Sequence, residues 1–435
     1  MGNTRKFTVR LLTKLDENSS YSNILLDEAL SRSDFDRRDK KFISALFYGV
    51  LERQLTLDAI IADLSKNPKN KLNYTVRNIL RTGLYQLKYM DSVPDNAAVD
   101  ESVELAKKCR NTAAPGFVNG MLREFIRRDK ALPKAKTEQE RLSLEYSCPL
   151  WLVEKWQKEY GKEVCLTMLE ASVGRAPTTV RLNNLSGTAE DTLDMLASEG
   201  MTFERSKIFE YAADVAASGA IEKSKAYKQG RFHVQDMASQ LCCAALDAQP
   251  GDTVLDLCSA PGGKTFTIAE MMGNVGKVMA FDLHKNRVKL IQSGAERLGL
   301  SCVEANENNA KLFREDLPQA DRVLVDAPCS GLGVIRRKPE IKYKDPKDFE
   351  RLPQVQYEIL DTSCRYVKID GTLVYSTCTV SRAENDEVVE RFLKAHAEFE
   401  PCALGGALGD APRMTITPDM FGSDGFFIAK FVRRR

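Results

Sequence analysis

Apolar positions repeat near helical spacing through the first third of the chain. Phe42, Ile43, Leu46, Val50 and Leu51 form one such set, Ile79, Leu80, Leu84 and Leu87 a second, and Val99, Val103 and Ala106 share one face of a third. This period predicts an all-α packing domain over residues 1–135, and no catalytic constellation falls within it. Leu132-Pro-Lys-Ala-Lys-Thr137 predicts a linker. Residues 138–146, 149–159 and 162–173 predict three short helices, a run that Pro177 ends. From Thr178 the pattern shortens to the strand-like Thr-Thr-Val-Arg-Leu-Asn183, with a helix around 190–199 and a strand-rich stretch around 208–211. Residues 136–230 thus read as linker helices and a small α/β segment.

Beyond residue 231 strands and helices alternate. Val254, Leu255 and Leu257 predict a buried parallel strand, Gly262 and Gly263 a turn, and Thr265 onward a helix. A second strand over 277–281 ends at Asp282, and a helix carrying Arg287 runs to Leu298. A weak strand near 302–304 follows, then the short, apolar, β-branched strand 322–326. A helix over 352–367, a strand over 371–376, a helix over 384–395 and a strand over 425–430 complete the order. That alternation predicts an α/β, Rossmann-like parallel sheet over residues 231–435, so the fold class is multidomain, all-α followed by α/β.

The turn after the first of these strands must stop a strand, reverse tightly and start a helix, which aims backbone N–H groups at a polar ligand. Glycine permits the approach because it has no Cβ. Gly263-Lys264-Thr265 resembles the end of a phosphate-binding loop, but Cys258 stands where that motif needs its first glycine, and Gly-x-Gly-x-x-Gly is absent. Asp282, twenty residues after Gly262, is where a doubly wound fold places the acid that binds ribose hydroxyls.

With 435 residues and 43% hydrophobic content, two or three domains with sizeable cores are expected. Eleven cysteines, without a Cys-x-x-Cys pair, and three histidines suggest neither a zinc site nor a disulfide framework. Thr4 to Arg10 is mixed and charged, unlike a secretory leader, and no apolar run approaches membrane-spanning length, so a cytoplasmic protein without membrane contact is expected. The net charge of +2 hides an asymmetry: residues 1–140 hold 25 Lys+Arg against 19 Asp+Glu. An excess of that size is compatible with RNA and common in ordinary proteins.

Three separated stretches carry a sharper signal: Thr253-Val-Leu-Asp-Leu-Cys-Ser-Ala-Pro-Gly-Gly-Lys264, Asp326-Ala-Pro-Cys329 and Val374-Tyr-Ser-Thr-Cys378. They resemble the RNA (cytosine-5)-methyltransferase family in motif, order and spacing, over about residues 232–430. The string 78–87, with Ala97 to Ala106 and Phe117 to Leu122, is similar to the NusB family of helical RNA-binding domains over roughly residues 3–130.

The resemblance implies methyl transfer from S-adenosyl-L-methionine to C5 of a cytosine in RNA. Cytosine C5 is a poor nucleophile, and a thiolate adding at C6 makes it enamine-like, splitting one difficult step into two. Matching motifs assign the nucleophile to Cys378, just past a strand and before a helix expected to start near Arg382, whose N-terminus would lower the thiol pKa. Cys329 matches the cysteine that assists product release, and Asp326 would hold the cytosine N3 edge. The cofactor would be bound by Cys258, Ser259, Ala260, Pro261, Gly262, Gly263 and Lys264, with Asp282, Arg287 and Asp326. The family has an aspartate for the adenine amino group where this chain has Asn309, with Glu307 two residues earlier; the Asn oxygen is still an acceptor.

The helical domain favours small-subunit (16S) ribosomal RNA, transfer RNA is the rival substrate, and a non-catalytic RNA-binding assembly factor is the alternative of another class. Arg5, Lys6, Arg10, Arg77 and Arg81 are candidate phosphate contacts. Arg181 and Asn183 match an Arg-x-Asn signature of the RNA-holding segment, and Gln235 and Asp236 a motif ahead of the catalytic domain, where Asp236 is also a plausible helix cap. His233, His284 and His396 are expected to be structural. The glycine-hinged basic stretch 331–339 suits an RNA backbone, and a base edge is reachable only in a loop or bulge. A monomer without a metal is expected.

Overall fold

The helical period of the first third is realised as a bundle whose apolar stripes meet in one core. The computed structural model describes residues 3–18, 22–65, 71–109, 112–174, 176–216 and 221–435. Two compact units emerge, one of residues 1–174 with 335–344, the other of 175–334 with 345–435.

The first unit contains α1 (Thr4–Asn18), α2 (Ser22–Ser31), α3 (Arg37–Glu52), α4 (Gln54–Leu64), α5 (Tyr74–Tyr89), α6 (Asp95–Lys107), α7 (Ala114–Arg127), α8 (Glu138–Tyr146) and α9 (Leu150–Ala171). Ile43, Leu46, Val50, Ile79, Leu80, Leu84 and Val99 are buried together, while Phe42 and Val103 lie at the edge of the same cluster. Side-chain caps set the starts: Asp36 accepts from Asp39 N ahead of α3, and Asn73 from Thr75 N ahead of α5. Gly83 lets the helices approach, since a Cβ there would stand 2.8 Å from Ser102 Oγ and 2.9 Å from a Leu122 methyl. The two short helices expected after Pro149 are the two halves of α9, which meet at a kink where Gly161 takes a non-helical φ of 83°.

The stretch 335–344 folds into this unit. Lys342 is buried and donates to the Glu52 carbonyl at 2.9 Å, as does Tyr343 Oη at 2.9 Å. Burial lowers the Lys342 pKa to about 8. The basic stretch read as an RNA-facing loop is therefore largely a packed strap, with Ile335 and Pro339 buried and Arg336 and Arg337 half-buried.

The second unit begins with β1 (Thr179–Leu182), α10 (Ala189–Ser198), β2 (Thr202–Arg205), β3 (Ala212–Ala216), α11 (Lys225–Lys228) and β4 (Phe232–Val234). These strands form an antiparallel sheet in the order β2-β3-β1-β4. Then come α12 (Met237–Leu246), β5 (Thr253–Asp256), α13 (Gly263–Met271), β6 (Lys277–Asp282), α14 (Lys285–Leu298), β7 (Val303–Glu307) and β8 (Ala320–Asp326). The chain closes with α15 (Leu352–Ser363), β9 (Val367–Thr377), α16 (Asp386–Ala395), β10 (Phe399–Pro401), β11 (Arg413–Ile416) and β12 (Phe426–Arg433).

The large sheet has the order β10-β12-β9-β8-β5-β6-β7, with β11 paired to β12. β9, β8, β5, β6 and β7 are parallel, and β12 is antiparallel to β9. Successive strands run outward from β5 through β6 to β7, then the chain returns to β8 on the other side of β5. That reversal is the switch point at which open α/β sheets bind ligands. The expected helix over 352–367 ends at Ser363, because Cys364–Tyr366 forms a 3-10 turn and Val367 already pairs with Ala320. Both β10 and β11 lie outside the expected strands.

Candidate active site

The turn after β5 is fastened by backbone bonds to its neighbours. Leu257 N donates to Leu324 O at 3.1 Å, Ser259 N to Phe281 O at 2.8 Å, and Gly262 N to Ser259 O at 2.8 Å. The Ala260–Pro261 peptide is cis, and Gly262 takes φ 112°, where a Cβ would also strike the Phe266 ring at 2.3 Å. A side chain at 262 is thus excluded twice. The helix α13 starts directly behind, so its first N–H groups face the switch point.

Lys264, one residue into that helix, donates to Asp326 Oδ2 at 2.7 Å. Ser376 Oγ donates to Asp326 Oδ1 at 2.9 Å, so each carboxylate oxygen has a partner and a remaining lone pair. Burial acts against the Lys264 ammonium, yet the attraction and hydrogen bond of Asp326 prevail and hold its pKa above the usual lysine value. Parallel pairing of Asp326 with Ser376 places the two following loops side by side. Cys329 and Cys378 meet there with Sγ atoms 2.9 Å apart, not joined by a disulfide and only partly covered. The hydrogen bond to Cys378, then burial, then the charges of Cys378, Glu384 and Asp326 push the Cys329 thiol well above its usual range. The helix after Cys378 begins at Asp386 rather than near Arg382, and its first turn carries Asp386 and Glu387, so the expected helix-terminus effect on Cys378 is withdrawn.

Asp282 at the end of β6 is buried, accepts from His284 N at 3.0 Å and pairs with Arg287 Nη1 at 3.2 Å. Arg287 Nη2 also donates to Ala260 O at 2.9 Å, tying the acid to the glycine turn. Asn309 is exposed and its Oδ1 accepts from Lys311 N at 3.1 Å, while Glu307 is exposed at the end of β7. Its neighbour Asn308, absent from the sequence reading, is buried with Nδ2 unpartnered. Asp256 was missed as well. It is wholly buried, accepts from Thr265 Oγ1 at 2.6 Å, and leaves Oδ1 without a partner. Burial raises its pKa to about 7, with Thr265 opposing and Asp326 adding to the shift. An acid ending an otherwise apolar strand was the available signal.

Several residues considered for RNA or site roles are structural. Arg81 is 2% exposed, held by Asp58 at 2.5 and 2.7 Å and by Asp16 at 3.2 Å, so it is withdrawn as a phosphate contact. Arg77 shares Asp16 at 3.1 Å, and Arg5 donates to Gln86 Oε1 at 2.6 Å, whereas Lys6 and Arg10 are exposed. Arg181 is buried against Glu270 of α13 at 3.2 Å, and Asn183 donates to Gly230 O and Leu298 O at 2.9 Å each. Their signature is a clamp within the second unit, not an RNA surface. His233 bonds Thr267 Oγ1 at 3.2 Å, Gln235 accepts from the same hydroxyl at 2.5 Å, and Asp236 caps α12 through Ala238 N. His284 is exposed, and His396 bonds Asp361 at 3.0 Å and Glu398 at 2.9 Å. No helix among the described residues is long and apolar enough to cross a membrane.

Three family models match successive parts of the chain. The model of 16S rRNA methyltransferase RsmB/F matches residues 243–432, the NusB family model residues 2–127, and the ferredoxin-like domain of RsmF/B-like methyltransferases residues 148–222. The chain is 38% identical to the probable ribosomal RNA small subunit methyltransferase B of Bacillus subtilis (strain 168), over 99% of this chain and 98% of that one. It is 33% identical to the ribosomal RNA small subunit methyltransferase B of Escherichia coli O7:K1, over 97% and 96%. The crystal structure of PH0851 superposes with a TM-score of 0.83 at 26% identity, covering 99% of each chain. NSun6 from Pyrococcus horikoshii with SFG shares the fold, with a TM-score of 0.59 at 21% identity over 66% of this chain and 98% of that one. With these motifs converging on one sheet edge and that likeness running the length of the chain, the protein belongs to the ribosomal RNA small subunit methyltransferase B family.

Proposed function

We propose that the protein transfers a methyl group from S-adenosyl-L-methionine to C5 of a cytosine in small-subunit ribosomal RNA, through a covalent bond between Cys378 and C6. The observation that carries this reading is the pair of unbridged thiols 2.9 Å apart at the ends of adjacent parallel strands, beside Asp326 and Lys264. The relatives' names supply the substrate class, and the NusB-like helices suit RNA.

The residues present fit the cofactor. Asp282 is a ribose-binding acid at a strand end, the start of α13 offers N–H groups, and the unpartnered Nδ2 of buried Asn308 is a donor at the end of β7. Bound S-adenosyl-L-methionine supplies the electrophilic methyl that the activated C5 takes. Cys378 Sγ forms the bond to C6 as the thiol proton passes to N3 of the ring, and the C5=C6 electron pair becomes available at C5. Asp326, oriented by Lys264 and Ser376, holds the N3 edge while charge builds there. Cys329 Sγ lies 2.9 Å from Cys378 Sγ and, as its thiolate, takes the C5 proton as the Sγ–C6 bond breaks and Cys378 leaves; its raised pKa makes that thiolate the stronger base.

The test is methyl transfer from labelled S-adenosyl-L-methionine to unmodified bacterial small-subunit RNA, with transfer RNA alongside. Wild type is expected to label a cytosine of ribosomal RNA, and Cys378→Ala to label nothing. Cys329→Ala is expected to leave a denaturation-resistant protein–RNA adduct. Label on transfer RNA alone would overturn the substrate, and neither label nor adduct would overturn the chemistry.

A further inference from the structure

Glu384 is a carboxylate with 2% exposure whose described partners are all donors. Its Oε2 accepts from Ser330 N at 2.8 Å and Gln356 Nε2 at 3.0 Å, and its Oε1 from Ser330 Oγ at 2.6 Å and Thr379 Oγ1 at 3.3 Å. Ser330 follows Cys329 and Thr379 follows Cys378. Both are buried, with their hydroxyl oxygens 2.9 Å apart. Gln356 donates as well to Pro328 O at 3.0 Å, directly ahead of Cys329. Tyr375 Oη donates to the Glu384 carbonyl at 2.7 Å, so the main chain of residue 384 is fastened to β9.

One buried side chain therefore touches the residue after each thiol. We propose that Glu384 is a positioning residue that sets the spacing of the two thiols, by fastening the loop of Cys329 to the loop of Cys378. Hydrogen bonds to a buried charge are the strong kind, and a partly satisfied network of this sort is worse than an apolar one. Nothing apolar of equal size replaces four acceptor contacts. The loops also meet through Gly333 N, which donates to Cys378 O at 3.1 Å, but that bond lies four residues beyond Cys329, whereas Glu384 holds the residue next to each thiol. The charge of Glu384 adds to the effects that keep the Cys329 proton in place.

The role rests on the methyl-transfer reading for its effect on turnover, and on geometry alone for its effect on spacing. The two are separable by experiment. A diazene oxidant such as diamide joins two adjacent thiols, taking one hydrogen from each, and peptide mapping of the full-length protein reports the rate of the Cys329–Cys378 crosslink. Wild type is expected to crosslink quickly, Glu384→Ala at least about tenfold more slowly, and Glu384→Gln within about threefold of wild type, since the amide keeps one acceptor. In methyl transfer Glu384→Ala is expected to lose about 100-fold in kcat with KM for S-adenosyl-L-methionine changed less than about threefold. Should Glu384→Ala not fold, Ser330→Ala, which deletes one donor, is expected to show the same two effects at roughly a third of their size on a logarithmic scale. Crosslinking at the wild-type rate in a folded Glu384→Ala, or in Ser330→Ala if that is the variant available, would overturn the proposal while leaving the methyl-transfer reading intact. Slow crosslinking in the variants of a protein whose wild type transfers no methyl would support the spacing role and overturn the reaction.

Discussion

Asp256 and Asp326 end neighbouring parallel strands of one sheet, and their surroundings are opposite. In the β5–β8 register Asp256 lies level with Leu324, so Asp326 stands two residues further toward the ligand-binding edge. Asp256 is wholly buried with one hydroxyl donor and one orphaned oxygen, and it titrates near 7. Asp326 is 29% exposed at its side chain and has an ammonium on one oxygen and a hydroxyl on the other. Two residues of strand length, about 7 Å, separate a carboxyl that braces the start of α13 from one that a substrate can reach. The residue type says little; its level on the strand and its donors decide the role.

The largest effect is expected where that difference is abolished at the outer site. Asp326→Asn removes the charge that holds Lys264 in its ammonium form and replaces a two-acceptor group by a single oxygen. Methyl transfer in single turnover is expected to fall about 10²–10³-fold, the loss typical of one preorganised group at a developing charge. Retention of more than a tenth of the wild-type rate would show that Asp326 does not act on the reacting base.

At the inner site the expected effect is on stability and depends on pH. The folded-state pKa of Asp256 is raised to about 7 from an ordinary 3.8, so between those values the folded chain holds a proton that the unfolded chain has lost. The sign follows: the stabilisation is fully present below pH 3.8 and is lost as pH rises through 7. Solvent does not screen a wholly buried group, and the loss is on the order of a few kcal/mol by pH 8. Asp256→Asn keeps an acceptor for Thr265 and has no charge to bury. Urea unfolding at pH 5 and pH 8 is expected to show the variant gaining on wild type as pH rises. A parallel pair of pH profiles would mean that Asp256 ionises without cost.

The same contrast explains what was legible in the chain. The strands, the glycine turn and both cysteine motifs were readable because apolar β-branched runs and fixed motif spacings are local signals, and parallel pairing then brings strand ends together without further information. Arg81 and Arg181 misled because a basic residue on a helix or strand looks the same in sequence whether it faces solvent or a buried Asp58 or Glu270 far along the chain. Glu384 was invisible for a related reason: its partners Ser330 and Gln356 lie 54 and 28 positions away. The edge strands β10 and β11 were missed because each is short and carries a single buried residue, so neither an apolar run nor an alternation shows. The start of α16 was misplaced because Glu384 and Asn385 bond to the loop of Cys378 instead of entering the helix.

The smallest effect expected is at the hydroxyl that joins Asp256 to α13. Thr265 is fully buried, and valine fills the same volume without the donor. In wild type the Thr265 hydrogen bond is the largest influence holding the Asp256 pKa down against burial, so Thr265→Val is expected to raise that pKa further. At pH 8 the variant must bury either a carboxylate without its hydroxyl donor or a proton taken up against the solution, at a cost of about 1–3 kcal/mol. At pH 5 the carboxyl is already protonated and the cost is expected to be about 1 kcal/mol or less, since only a neutral hydrogen bond is lost. Introduced together with Asp256→Asn, the same change is expected to cost about the pH 5 value at both pH values, because no charge remains for the hydroxyl to stabilise. Equal costs at pH 5 and pH 8 in the wild-type background would sever the link between this hydroxyl and the ionisation of Asp256. The inner carboxyl would then be a passive brace, and its contrast with Asp326 would be one of position alone.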